Sequence, residues 1–474
     1  MTPPDLAIPA CGPRPRFHDA AGRAGDSAAS IAGSARTIDA SAVFSVLKFG
    51  AMIPPLAPWE GVSRFVPGYR YRGTARVGPV TLRKWPECAG LPVEGQADLL
   101  ERIVDAYLRE HVRESDPVLL FSGGVDSGFL ASRLAATGYR DALLAHYSFG
   151  DDDPETRLAE EMARTLGLRF VRVSGRAPAT ACLDAPGKVY PLPFGDYSTA
   201  PTTDLALSVL ELLDGRRRTI IDGTGADGAF GMIAKVAAWE RVFRTPRLVR
   251  HAAAAAYGRL LWARSGRLES LGRVLRRAAD LSFVSAVVAQ NPLGGVFYRC
   301  DRRHAVDALL VSWIEGWAGN SPASRVVAAD LALTCANVFA QKAFPIYEAA
   351  GHRVLFPFLT DEVVSLAVGE AASWEPSEPK ACLKASLARH VPRSYVYRTK
   401  SGFVDPRGCV FHDRRFLEHL RAVADATSPI AASVCPGPIR RACDLLAGGR
   451  TLPAQTLNLV WALAFTDRWY RTVT

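Results

Sequence analysis

The stretch Pro117-Val-Leu-Leu-Phe-Ser-Gly-Gly-Val-Asp-Ser-Gly-Phe-Leu-Ala-Ser-Arg-Leu-Ala-Ala136 decides the fold. Its first five residues are an apolar run of strand length, and Gly128 to Ala136 carry a helical pattern. Between them Ser122, Gly123, Gly124, Val125, Asp126 and Ser127 turn one into the other. Glycines in such a turn let backbone N–H groups approach a phosphate chain closely, and the helix N-terminus adds favourable partial charge. Ser122 and Ser127 supply hydroxyl donors. Asp126 puts a carboxylate beside the same phosphates, which a divalent cation with oxygen preference, normally Mg2+, reconciles. The Gly-Lys-Ser/Thr ending of a Walker A loop is missing.

Outward from this turn the alternation continues. Ala142–Phe149 reads as a strand, Thr156–Gly167 as an amphipathic helix with Leu158, Met162 and Leu166 on one stripe, and Phe170–Val173 as another strand. This βαβ order predicts an α/β fold with a parallel sheet and helices on its faces. A helical stretch near Gln96–Val112 precedes it. Arg217-Arg-Thr-Ile-Ile221 leads into a second glycine-rich turn, Asp222-Gly-Thr-Gly-Ala-Asp227-Gly. Residues 232–345 are rich in Ala, Leu and Arg and read as mainly helical. At the other end, residues 1–38 are Pro-, Gly-, Ala- and Ser-rich without periodicity, a mobile leader. Residues 39–95 begin with a helix-like Ser41–Lys48 and continue through Pro- and Gly-punctuated short strands, too few for an independent domain. Residues 96–474 form the main domain.

With 474 residues, 49% hydrophobic and 22% charged, the chain can bury a substantial core, which excludes compositional disorder. No run of about 18 apolar residues suggests a transmembrane segment, and the first residues lack a signal-peptide pattern, so the expected location is cytoplasmic. The nine cysteines are scattered singly without a C-x-x-C pair, against both a disulfide framework and a zinc site. The net charge of +10 is concentrated: residues 241–280 hold ten Arg against Glu269 and Asp280. Arg spacings of three and four line one helix face there, either a solvated face or a dock for an acidic peptide, a carrier protein or a membrane surface. Nothing in the segment reads as a nucleic-acid module, and no nucleic-acid partner is expected. Lysine is scarce, yet three of the eight, Lys380, Lys384 and Lys400, fall within twenty-one residues.

Four segments in order carry a family resemblance. Ser122–Ser127 resembles the pyrophosphate loop of the N-type ATP pyrophosphatases. Asp222-Gly-Thr-Gly-Ala-Asp227 is similar to the Gly-x-Gly-Ala-Asp turn of the asparagine synthetase family, Phe356-Pro-Phe-Leu359 to its Pro-Phe-Leu-Asp segment, and Arg398-Thr-Lys-Ser-Gly-Phe403 to its Arg-x-Lys-x-Gly-Phe segment. The resemblance runs from about Gln96 to the C-terminus and implies the adenine nucleotide alpha hydrolase-like fold, with a largely helical C-terminal half. Leu47-Lys-Phe-Gly to Pro67-Gly68 also resembles the closing part of the family's N-terminal glutaminase domain, so residues 39–95 are read as its remnant.

The resemblance implies an ATP-dependent carbon–nitrogen ligase. A carboxylate attacks the α-phosphate of ATP, Mg2+-pyrophosphate leaves, and an amine or ammonia takes the acyl group. ATP is expected on Ser122, Gly123, Gly124, Val125, Asp126, Ser127 and Gly225, with Mg2+ shared by Asp126 and Asp227. Lys400 would neutralise developing charge, and Lys380, in Lys380-Ala-Cys-Leu-Lys384, resembles the lysine of a Lys-x-x-Leu-Arg segment and is a second phosphate or carboxylate contact. Thr2 stands where the family has its glutaminase cysteine, so glutamine hydrolysis is not expected; relatives without it close β-lactams, carbapenams or lasso-peptide macrolactams.

Three positions depart from the family pattern. Thr224 replaces the acid or Tyr between the glycines, Arg353 replaces the glutamate that orients or deprotonates the amine, and Thr360-Asp361 replaces a single Asp. Glu348 or His352 is the candidate substitute base, against a plain reading of each as a helix-face or loop residue. The expectation is an amide synthetase of specialised metabolite or peptide biosynthesis, acting on a carboxylate and an amine. The alternatives are a pyrophosphate-loop enzyme acting on RNA and a non-catalytic scaffold retaining the fold.

Overall fold

The computed structural model describes residues 5–34, 36–88, 90–114, 116–150, 153–174, 180–213, 215–256, 266–291, 297–299, 303–398 and 409–474. Six short strands precede residue 80: β1 (Asp5–Ala7), β2 (Phe17–Asp19), β3 (Ala24–Gly25), β4 (Val62–Arg64), β5 (Tyr69–Arg72) and β6 (Ala75–Pro79). They pair antiparallel in two three-stranded sheets, ordered β1-β5-β6 and β3-β2-β4. Residues 5–34 of the expected mobile leader therefore carry structure. The leader is anchored because Phe17, Ile31 and Cys11 are buried in the common core and because β1 pairs with β5 and β2, besides the nearby β3, with β4, both from beyond residue 60. A local composition pattern cannot show pairing at that distance.

The helix Ala40–Phe49 follows its cap: the Asp39 carboxylate accepts from the N–H groups of Ser41 and Ala42, and Gly50 ends the helix in the left-handed region. This region is packed onto the chain's other end. Trp59 meets Trp469 and Tyr470 of the terminal helix Ala454–Val473, and the buried Arg64 donates to Asn337.

The main sheet has five strands: β7 (Val118–Leu120), β8 (Leu143–Ser148), β9 (Arg169–Ser174), β10 (Thr219–Ile221) and β11 (Arg353–Leu355). Their order is β11-β10-β7-β8-β9 and every neighbouring pair is parallel. The expected parallel sheet flanked by helices is present. Helix Val93–His111 leads into β7, helix Val125–Ala136 follows it, and Pro154–Leu166 connects β8 to β9, capped by Asp153, started by Pro154 and stopped by Gly167. From β7 the chain runs outward through β8 and β9, then returns to place β10 on the other side of β7. Between β7 and β10 the winding direction reverses, and at such a switch point the loops leaving the carboxyl ends of the strands part to form a crevice. Both glycine-rich turns open there.

Beyond β10 the described residues up to β11 are helical, as the Ala- and Leu-rich composition predicts. Among the described residues one helix, Pro322–Lys342, is long and apolar enough to cross a membrane, but 89% of its apolar window is buried inside the fold.

Candidate active site

The first turn is shaped by glycine. Gly123 has φ +68°, and a Cβ there would stand 2.8 Å from Cβ of the buried Ala159, so neither the conformation nor the space admits a side chain. The Ser127 hydroxyl accepts from the Ser122 N–H at 3.2 Å and lies 3.1 Å from the Ser122 hydroxyl. Gly124 begins the following helix and, as a glycine, supplies no side-chain cap of its own.

The second turn is shaped by the Phe356–Leu359 segment. Gly225 has φ +112°, and a Cβ there would lie 2.9 Å from both Cβ of Phe358 and Cδ2 of Leu359. The Pro-Phe-Leu motif thus acts as a wall that fixes the turn carrying Asp227. Asp222, at the end of β10, is tied to β11 by its N–H to the Leu355 carbonyl (3.0 Å), and its carboxylate accepts from the Thr224 N–H at 2.8 Å.

Lys380 joins the two turns. Its Nζ donates to both oxygens of Asp126 (2.7 and 2.8 Å) and lies 2.6 Å from Oδ1 of Asp227. Lys380 is the non-glycine residue with positive φ among the described residues, at +62°. A side chain in the left-handed region costs about 1–2 kcal/mol, and the conformation is held by the Lys380 N–H to the Phe230 carbonyl (2.9 Å) and by the two carboxylates. Burial alone would lower the pKa of this ammonium, but the charges of Asp126 and Asp227 outweigh it and hold the pKa above the ordinary lysine value.

Arg398 locks the first turn from outside. Its guanidinium grips Glu155 with two bonds, 2.9 and 2.6 Å, and reaches the Gly123 carbonyl at 3.3 Å. Sequence reading gave this residue no role, although it opens the Arg-x-Lys-x-Gly-Phe segment. Lys400, two residues on, lies outside the described residues.

A second buried cation was also missed. Lys342 pairs with Asp196 at 2.9 Å, donates to the Ser198 hydroxyl at 2.6 Å and sits over the Phe339 ring. It has no motif around it and lies more than a hundred residues from its partners.

The proposed substitute bases stand elsewhere. Glu348 is bound by the exposed Arg14, and His352 accepts from the Arg218 N–H at 3.2 Å. Both precede β11, whose first residue Arg353 pairs in register with Thr219, the first residue of β10. They therefore lie toward the amino ends of the strands, away from the turns. The basic segment divides. Arg241, Arg244 and Arg247 are exposed, whereas Arg250 stacks on Phe243 and Arg277 donates to the carbonyls of Ala286, Val287 and Gln290. Burial also lowers the pKa of Arg276, despite Asp280 nearby. Part of the local charge excess thus serves helix packing, where the spacing was expected to line one face, solvated or docking an acidic partner.

The donor chemistry at Lys380 fits Mg2+. Two carboxylates from separate turns converge on one point, and hard oxygen donors are what that ion takes. Among the described residues no third His, Cys, Asp or Glu joins them, so phosphate and water oxygens would complete the shell.

An open helix N-terminus, converging carboxylates and a buried lysine at a switch point are the equipment of α/β enzymes that handle a nucleotide's phosphates. The family is narrower still. The sequence model of the asparagine synthase family matches residues 97–470, and the chain belongs to that family. It is accordingly an ATP-dependent synthetase by family, of the carbon–nitrogen ligase type, on the adenine nucleotide alpha hydrolase-like fold; the family uses ATP, generally with Mg2+. No curated protein matches the chain.

Proposed function

We propose that this chain adenylates a carboxylate and passes the acyl group to an amine. An oxygen of the substrate carboxylate attacks the α-phosphorus of ATP, the bond to the bridging oxygen breaks and pyrophosphate leaves. The amine nitrogen then displaces AMP from the acyl carbon. The observation that carries this reading is the Lys380 ammonium held between Asp126 and Asp227 where the two turns meet. That charge pattern suits a pyrophosphate, with Lys380 neutralising part of the leaving group's charge and the N–H groups after Gly124 holding its oxygens. Mg2+ on Asp126 and Asp227 would supply further charge neutralisation. Lys400, by its place in the Arg-x-Lys-x-Gly-Phe segment, is assigned a second positive charge in this reading.

The acceptor in this reading is an amine rather than ammonia drawn from glutamine. A glutaminase nucleophile must be a reactive thiolate, and the two described cysteines of residues 5–88 are the reverse: burial pushes the Cys88 thiol up to about 11 and the Cys11 thiol well above its ordinary value. The substrate class is a specialised metabolite or a peptide, with macrolactam closure among its outcomes.

The test is nucleotide analysis of the purified chain with Mg-ATP and an amino-acid and short-peptide extract. AMP and pyrophosphate are expected from the wild type and not from folded Asp126→Ala. ADP as product, or no turnover, refutes the reading.

A further inference from the structure

Amide formation from an amine releases a proton, and a positioned base accelerates such a step typically 10²–10⁴-fold. Around the strand ends most carboxylates are already engaged. Asp126 and Asp227 hold Lys380, Glu155 holds Arg398, Asp196 holds Lys342, and Asp204 accepts from the Tyr147 hydroxyl at 2.7 Å. Asp153 is the cap of its helix. Asp222 differs from the four that hold a cation. Among the described residues no cation lies within ion-pair distance of it, and its hydrogen bonds come from Thr224, from the N–H and from the side chain.

Its position is also distinctive. Asp222 directly follows β10, next to the switch point, and is half-buried. Its neighbour Gly223 leans on the first turn: a Cβ there would stand 3.7 Å from the Ser127 nitrogen and 3.8 Å from the Asp126 carbonyl carbon. Asp222 therefore stands at the wall of the crevice, five residues before Asp227. The charged and titratable groups facing it are Lys342, at the end of the buried helix, and Tyr347, on the helix before β11. Lys342 is committed to Asp196 and Ser198, so it adds positive field without pairing. Burial raises the proton affinity of the Asp222 carboxylate, and Thr224 and Lys342 oppose that only in part.

We infer that Asp222 is the base that accepts the proton of the attacking amine, an assignment that rests on the adenylation reading above. The neutral amine's lone pair forms the C–N bond at the acyl carbon while the carbonyl π pair moves to oxygen. The N–H proton passes to the Asp222 carboxylate. The intermediate collapses, the bond from carbon to the phosphate oxygen breaks, AMP leaves with that electron pair, and Asp222 returns its proton to water. Charge and atoms balance as acyl-AMP plus amine giving amide, AMP and one proton. A carboxylate of raised proton affinity is a stronger base for this transfer than an ordinary one.

Asp222→Asn separates the two half-reactions. The wild type and this variant are compared with Mg-ATP and the amino-acid and short-peptide extract, reading ATP–pyrophosphate exchange, amide product by mass, and hydroxamate formed with added hydroxylamine. Hydroxylamine is uncharged at neutral pH and needs less help from a base. The expected result is exchange within about threefold of wild type, hydroxamate formation retained, and amide formation lowered about 10²–10⁴-fold. Equal loss of exchange and amide, or undiminished amide formation, overturns the assignment. Asp222→Ser is the second variant, and failure of both to fold would overturn it in favour of a structural role. Absence of AMP and exchange in the wild type would instead refute the adenylation reading itself, and this assignment with it.

Discussion

Gly123→Ala tests whether the first turn is built as described. Two penalties are separable at this position. The first is conformational: alanine at φ +68° costs about 1–2 kcal/mol. The second is contact: the new methyl would stand 2.8 Å from Cβ and 3.0 Å from Cα of Ala159, and reaching 3.4 Å requires about 0.6 Å of movement by the turn or the helix Pro154–Leu166. Ala159 is fully buried, so the helix cannot give way without disturbing the core. Overpacking of that kind adds about 1–3 kcal/mol. Gly167→Ala is the matched control, with φ +67° but its nearest neighbour at 3.7 Å, an ordinary contact with the Arg140 side chain. It should pay the conformational part alone. Thermal and urea unfolding of both variants should therefore place Gly123→Ala about 1–3 kcal/mol below Gly167→Ala. ATP binding, followed by calorimetry, should weaken only in Gly123→Ala, because the displaced turn carries the N–H groups proposed to face the phosphates. Equal destabilisation of the two variants would refute the close-packing argument and, with it, the reason for reading the turn as a rigid cradle.

Two further outcomes follow from the same geometry. Lys380→Met leaves Asp126 and Asp227 facing one another without their cation, and ATP–pyrophosphate exchange should fall at least about 10²-fold, the scale of losing a preorganised charge contact in an active site; exchange within threefold of wild type would remove Lys380 from the mechanism. His352 has its pKa lowered by burial and by Arg217 and Arg218, so below the ordinary histidine value of about 6.5 the unfolded chain takes up that proton more readily than the folded one. Stability should then fall as pH drops from 7.5 to 5.5, with a smaller fall in His352→Gln by urea unfolding, and identical pH slopes in the two proteins would contradict it.

The parallel sheet was legible because β7 is a continuous apolar run, β8 opens on one, and the helix between β8 and β9 carries local stops: Asp153 and Pro154 begin it and Gly167 ends it. The first turn was legible for a related reason. Holding phosphates with backbone groups demands glycines at fixed spacing, and that demand is written within six consecutive residues. The leader was not legible, because β1 and β2 are strands only by virtue of β5 and β4. Short strands without their partners have no periodicity to detect. The basic segment was legible only in part: its arginine spacing is helical, but spacing does not reveal that Arg250 and Arg277 turn inward to ring and carbonyl partners.

The two sides of the crevice differ in the same way. On the phosphate side, motif and geometry coincide, since Ser122–Ser127 and Asp222–Asp227 are each one turn. On the other side, the polar groups come from separate stretches: Asp196 and Ser198 before one helix, Lys342 at the end of another, Tyr347 on a third, with Asp222 between them. No short pattern unites these residues, and each taken alone reads as an ordinary core or loop residue. What distinguishes Asp222 is a relation, a carboxylate left without a cation where Asp126, Asp227 and Asp196 each have one. Family motifs record the chemistry that every member shares, which is the handling of ATP. A base recruited from a strand end to serve a particular amine leaves no such record, and it appears only once the strands have been put in register.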